Sequence, residues 1–217
     1  MKNNFLSLSA SLLFVLSFGS SSEAASITVG NFTDFPNTNG ITDTAGNFLN
    51  NTFVGVGYFN TLSDVQLGAL NPTTFASILA GGEFIQFGSA IGWLGAGVYD
   101  GSASAAINAG SSFIGKGIYT LIGNASTLAA STQLLIAKHT GAFAQDAPLF
   151  SAVATLDQNS GNGTVLWGNS AGGALDVGGG SSLSTYRTLA VGAVPEPSRA
   201  MLAAMGLFAG LVRRRRK

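Results

Sequence analysis

Gly115 to Phe143 reads GKGIYTLIGNASTLAASTQLLIAKHTGAF, and its two apolar runs, GIYTLIG (117–123) and TQLLIAKH (132–139), decide the fold. Each is short, rich in β-branched and aromatic residues, and bounded by glycine or polar residues, which predicts two strands rather than one helix. Gly123-Asn124 marks the turn between them, and the Ser/Thr-rich stretch that follows is a loop.

The same pattern recurs outward along the chain. Strands are expected at SITVGNF (26–32), NTFVGVGYF (51–59), FIQFG (84–88), IGWLGAGVYD (91–100), LFSAVATL (149–156), TVLWG (164–168) and YRTLAVG (186–192), with further turns at Asp100-Gly101 and Asn162-Gly163. That makes about nine or ten strands. One stretch, TLSDVQLGALNPTTFASILAGG, breaks the pattern. Ser63 with Gln66 forms a capping box, and Asn71-Pro72 supplies an N-cap and a first-turn proline before Phe75, Ile78 and Leu79 at helical spacing, so one or two short helices are expected at about 62–80. The expected fold is therefore mainly β: a single β-sandwich or jelly-roll-like domain over 26–192.

Composition fits an exported β domain. Thirty glycines, no cysteine and few charges accompany a formal net charge of zero. That zero hides an asymmetry, because Arg213 to Lys217 hold five of the ten basic residues. Between Ala25 and Val194 stand three basic residues (Lys116, Lys138, Arg187) against eight acidic ones, a net of −5. A mildly acidic middle without a basic patch argues against a nucleic-acid partner.

Both ends read as addresses. Met1-Lys2 is a positive start, Phe5 to Phe18 an apolar core, and Gly19 to Ala25 (GSSSEAA) a small-residue stretch. Together they predict a signal peptide over 1–25, starting with a signal helix and cut after Ala24 or Ala25, which implies passage through the Sec translocon. At the other end, Ala200 to Val212 is a largely apolar run that as a helix spans about 20 Å of a hydrocarbon layer about 30 Å thick. It is a short transmembrane helix, oriented by Arg213, Arg214, Arg215 and Arg216 as a stop-transfer cluster on the cytoplasmic side.

The tail from Ala193 to Lys217, AVPEPSRAMLAAMGLFAGLVRRRRK, resembles the PEP-CTERM sorting signal of Gram-negative bacteria: Val194-Pro195-Glu196-Pro197-Ser198, a short apolar helix, then an arginine cluster. Arg199 departs from the small or hydroxylic residue more usual there. The resemblance implies that exosortase, an integral-membrane cysteine transpeptidase, recognises Pro195, Glu196 and Pro197, cuts nearby, and releases or transfers the protein to the cell surface. Such bacteria often make exopolysaccharide. Gly115 to Phe143 is also similar to a segment of uncharacterised PEP-CTERM proteins, which adds a fold expectation and no activity.

These expectations define an inner-membrane-anchored precursor whose mature form is at the cell surface or extracellular. Its middle domain is expected to be non-catalytic, an adhesion or exopolysaccharide-associated module. The alternatives are an envelope carbohydrate-active enzyme and a single-pass membrane protein whose tail is never cut.

Several motifs tempt and are declined. Gly168-Asn169-Ser170-Ala171-Gly172 fits the G-x-S-x-G nucleophile elbow, but the lone histidine, His139, precedes it and strand-turn-helix context is missing. Gly110 to Gly117 approaches a P-loop but ends in Gly117 where Ser or Thr must hold magnesium. Asp157, Asn159 and Gly161 begin like a calcium loop with no closing carboxylate. A zinc centre lacks its ligands, and Glu83 is the one glutamate between Ala25 and Val194, so no carboxylate pair suggests glycoside hydrolysis. No cofactor, metal or catalytic residue is expected. Trp93, Tyr99, Tyr119 and Trp167 are the candidates for a sugar-stacking face, against the plainer role of core packing.

Overall fold

The computed structural model of the chain describes residues 24–31, 40–145, 150–156, 163–176 and 182–191. The signal-peptide core, the tail, the calcium-like stretch at 157–161 and Asn162 lie outside the described residues. The fold is mainly β with two short helices, and its layering is consistent with a β-sandwich.

Among the described residues there are twelve strands: β1 (Ala25–Gly30), β2 (Gly40–Thr42), β3 (Val54–Phe59), β4 (Phe84–Gln86), β5 (Trp93–Gly95), β6 (Val98–Ala105), β7 (Gly117–Gly123), β8 (Leu134–Ala142), β9 (Ser151–Thr155), β10 (Gly163–Trp167), β11 (Asn169–Asp176) and β12 (Ser182–Arg187). Helices α1 (Asp64–Leu67) and α2 (Pro72–Leu79) follow β3. The strands form a four-stranded sheet in the order β5-β6-β1-β9, a five-stranded sheet β10-β8-β7-β3-β4, and a three-stranded sheet β11-β12-β2. Most neighbours are antiparallel, while β1 with β9 and β12 with β2 run parallel.

Strand β7 occupies 117–123 as its sequence predicts, paired to β3 on one side and β8 on the other. Side chains alternate across a strand, so β7 and β8 each serve two cores. On one face Ile118, Ile122, Leu135 and Ala137 join Val54 and Val56 of β3 and meet Ala25, Ile27 and Val29 of β1 with Tyr99 and Ala103 of β6. On the other, Tyr119, Leu121, Leu134 and Ile136 are covered by Leu67 of α1, Leu70, and Phe75 and Ile78 of α2. Burial on both faces explains why GIYTLIG reads as a nearly continuous apolar run instead of an alternating one. The β7–β8 loop is closed by Asn124, whose Oδ1 accepts from the N–H groups of Thr132 (2.8 Å) and Gln133 (3.0 Å).

Both helices start at their expected caps. The Ser63 hydroxyl and Gln66 side chain satisfy each other's backbone N–H groups, and Asn71 Oδ1 accepts from Thr73 and Thr74 ahead of Pro72. Three expectations need correction. The run 91–100 is a hairpin, with β5 and β6 joined at Ala96-Gly97, where Gly97 takes φ +77°, a left-handed conformation that favours glycine. Asp100-Gly101 is therefore strand interior: Asp100 is exposed on the outer face, and Gly101 lies against the Ile91 side chain. The last strand covers 182–187, earlier than 186–192, and Leu189 makes an isolated bridge to Leu134. Two strands lie outside the expected runs, Gly40–Thr42 and Asn169–Asp176, and both are held by pairing with β12.

Candidate functional site

Lys138 marks a polar cluster on the described surface. It follows Leu134 and Ile136 on the helix-covered face of β8, where an apolar residue is expected. Its partner comes from α1. The Lys138 ammonium donates to Asp64 Oδ2 at 2.5 Å, and the Tyr119 hydroxyl donates to Asp64 Oδ1 at 2.6 Å. Tyr119 and Lys138 are direct cross-strand neighbours, and the ammonium sits 5.9 Å from the Tyr119 ring centroid. Thr164 of β10 stands opposite Lys138 on its other side and is exposed.

Electrostatics fix the state of this cluster. The hydrogen bond from Lys138, then that from Tyr119, hold the Asp64 carboxyl below the usual carboxylate range. Burial first, and the bond to Asp64 second, push the Tyr119 phenol far above its usual value. The cluster is therefore an ionised carboxylate and a neutral phenol near neutral pH, suited to accepting and donating hydrogen bonds at the surface and unsuited to supplying a proton.

A pH prediction follows. The Asp64 carboxyl titrates lower when folded than when unfolded, near 3.9, so its stabilising effect is complete above that value and is lost as pH falls through the folded value. Asp64→Asn should flatten the acid limb of a stability–pH curve. At neutral pH it should cost under about 1 kcal/mol, because the side chains of both partners are about 40% exposed and solvent screens the pair. Urea midpoints measured from pH 2.5 to 7 would check both.

The four aromatic candidates do not make one face. Tyr99 is completely buried in the core between the sheets, so no sugar ring reaches it. Trp93 stands opposite it in the β5–β6 hairpin, ring centroids 5.8 Å apart in an edge contact, and donates from Nε1 to the Thr52 carbonyl at 2.7 Å. Tyr119 is buried in the helix-side core with its edge on Phe59. Trp167 packs half-buried against that same core and donates to the Leu189 carbonyl at 3.1 Å. The four are thus divided between two cores, two at each, with the indole N–H groups spent on backbone carbonyls.

Other singled-out residues have local duties. Ala24 is exposed and Ala25 is the fully buried first residue of β1. Lys116 reaches over the Tyr58 ring, 5.4 Å to its centroid, and a strand follows where a P-loop needs a helix. Ser170 lies in β11, paired with Tyr186, in extended rather than elbow context. His139 is buried between the sheets, its Nε2 2.8 Å from the Thr120 hydroxyl. Glu83 accepts from the Thr61 N–H and hydroxyl. Pro195, Glu196, Pro197 and Arg213 to Arg216 lie outside the described residues.

Among the described residues no group of three or more His, Cys, Asp or Glu side chains is placed to hold a metal ion, and no helix is long and apolar enough to cross a membrane. The Asp64–Lys138 pair was absent from the sequence expectations. Its signal was Lys138 itself, a charge in phase with Leu134 and Ile136, whose carboxylate partner 74 positions away no periodicity identifies. No protein-family model, curated protein or solved structure matches this chain.

Proposed function

We propose that the chain is an exported surface or extracellular-matrix protein, delivered by its signal peptide through the Sec translocon, held by its tail, and processed by exosortase. The observation that carries this reading is the amino-acid sequence of the tail, three parts in succession: Pro195-Glu196-Pro197, a thirteen-residue apolar run too short for a comfortable permanent span, and four consecutive arginines. Two contacts at the ends of the β domain support it. Its first strand begins at Ala25, at the expected N-terminal cut, and Val191 packs onto the helix-side core two residues ahead of the tail.

The domain between these addresses is a β-sandwich on this reading. The parallel β1–β9 and β12–β2 pairs favour a sandwich over an all-antiparallel jelly roll. Its role is non-catalytic, in adhesion or association with exopolysaccharide. Supporting that role, the one carboxylate in the described polar cluster is ionised and engaged by Lys138 and Tyr119, and therefore ill-suited to act as the general acid of a glycosidase.

The test is the intact mass of the protein recovered from the surface of its native bacterium. The expected species lacks both the signal peptide and Arg213 to Lys217. A surface species still ending in Arg-Arg-Lys would sink the sorting reading and leave the uncut single-pass anchor. Deleting the exosortase gene should leave the tail in place and hold the protein in the inner membrane.

A further inference from the structure

We infer that the Ala24–Ala25 peptide bond is the one hydrolysed on export, and that it is open to the peptidase only until β1 is paired on both edges. The inference rests on the signal-peptide reading above and sharpens it from two bonds to one.

The sequence offers two bonds. A cut after Ala24 places Ala24 and Ser22 at the two positions that must be small, whereas a cut after Ala25 places the larger, charged Glu23 at the second of them. The fold separates the two bonds independently. Ala24 is exposed and precedes the strand, while Ala25 is its first residue, fully buried in the inter-sheet core and directly opposite Ala105 of β6. Hydrolysis after Ala24 adds water to leave a carboxylate on Ala24 and an ammonium on Ala25, with β1 whole. Hydrolysis one bond later deletes the first residue of β1 and its buried methyl group.

Pairing adds a limit in time. A peptidase grips its substrate as an extended segment on both sides of the bond it cuts, so it needs Ala25 and Ser26 free of other partners. In the folded domain Ser26 stands opposite Ser104 of β6 and Ser151 of β9, and its N–H donates to the Phe150 carbonyl at 3.1 Å. Strand β1 is interior to its sheet and has no vacant edge. Because β9 comes from Ser151–Thr155, far later in the chain, the bond stays open through most of translocation and closes when the sheet completes.

The test is N-terminal sequencing of the exported full-length chain, with Ala24→Leu as the discriminating variant. The wild-type product should begin at Ala25. Ala24→Leu alters an exposed residue outside the strand, yet places a large side chain immediately before the proposed bond, so uncut precursor should accumulate. If Ala25 preceded the true bond, the leucine would occupy the permissive middle position and processing would continue. A product beginning at Ser26, or unchanged processing of Ala24→Leu, overturns the inference and leaves export intact; an envelope species that keeps Met1 overturns both. For the timing, purified signal peptidase should cut the chain during synthesis into membrane vesicles and lose that activity on precursor refolded in detergent. Equal cleavage of the two would overturn the claim that pairing closes the bond.

Discussion

Gly57→Ala should destabilise the fold by roughly 3 kcal/mol. A Cβ at Gly57 would stand 2.1 Å from the Ile85 carbonyl oxygen and 3.0 Å from its carbon. These atoms belong to the backbone of β4, which pairs with β3 through Gly57, Tyr58 and Phe59. Relief requires moving β4 as a unit, and with it Phe84, whose ring packs on Phe59 in the helix-side core. Domains of this size are stable by only about 5–15 kcal/mol, so the loss would lower the urea midpoint substantially. Gly55→Ala, two positions earlier in the same strand, is the control. Its Cβ would meet the tip of the Phe53 ring at 2.8 Å and the Phe84 ring at 3.2 Å, so its nearest contacts are side-chain rings. Side-chain rings can swing, so the cost should be nearer roughly 1 kcal/mol. Equal losses in the two variants would show that proximity to the β4 backbone is not what makes Gly57 necessary.

That contrast also shows where the sequence was readable. VGVGYF announces a strand by its β-branched and aromatic residues, and its glycines signal close approach of another chain segment, yet nothing local says which glycine faces a backbone and which a ring. GIYTLIG and the two capped helices were legible because their reasons are local: turn chemistry at Gly123-Asn124, and side chains satisfying N–H groups within three positions at Ser63 and Asn71. The hairpin at Ala96-Gly97 was hidden inside an apparently continuous run, and Asp100-Gly101 imitated a turn, because the bend is fixed by long-range bonds. Gly97 donates to the Leu49 carbonyl at 2.6 Å and accepts from the Ile41 N–H at 2.9 Å. Strands β2 and β11 have little apolar content to advertise them and exist through pairing with β12. The same limit hid the Asp64–Lys138 pair. Of the four aromatic candidates, the sequence marked residues that matter and left open whether they point outward; Tyr99 lies wholly in the core.

Asn31→Ala should cost about 2–4 kcal/mol, although it removes only a small polar side chain. Asn31 is fully buried just beyond β1 and reads the β5–β6 hairpin with both ends of its amide. Its Nδ2 donates to the Gly97 carbonyl at 2.8 Å, and its Oδ1 accepts from the Tyr99 N–H at 2.8 Å. The two losses are unequal. The Gly97 carbonyl keeps a bond from Ile41, whereas the Tyr99 N–H, in a residue with no exposed surface, loses the acceptor that Asn31 supplies. An orphaned buried donor costs about 1–3 kcal/mol, and the forfeited second bond about 1 more. Asn31→Asp separates hydrogen bonding from packing, because the shape is nearly kept. Ionised, the aspartate still accepts from Tyr99 but turns a carboxylate oxygen toward the Gly97 carbonyl and buries a charge. Burial and that repulsion raise its folded pKa above the unfolded value near 3.9. The stability it recovers on protonation is fully present below the unfolded value and lost as pH rises through the folded one. Asn31→Asp should therefore approach wild-type stability in acid and fall below Asn31→Ala at neutral pH. A urea midpoint for Asn31→Asp that tracks wild type at every pH would mean that the hairpin is positioned by the packing of Trp93 and Tyr99 alone.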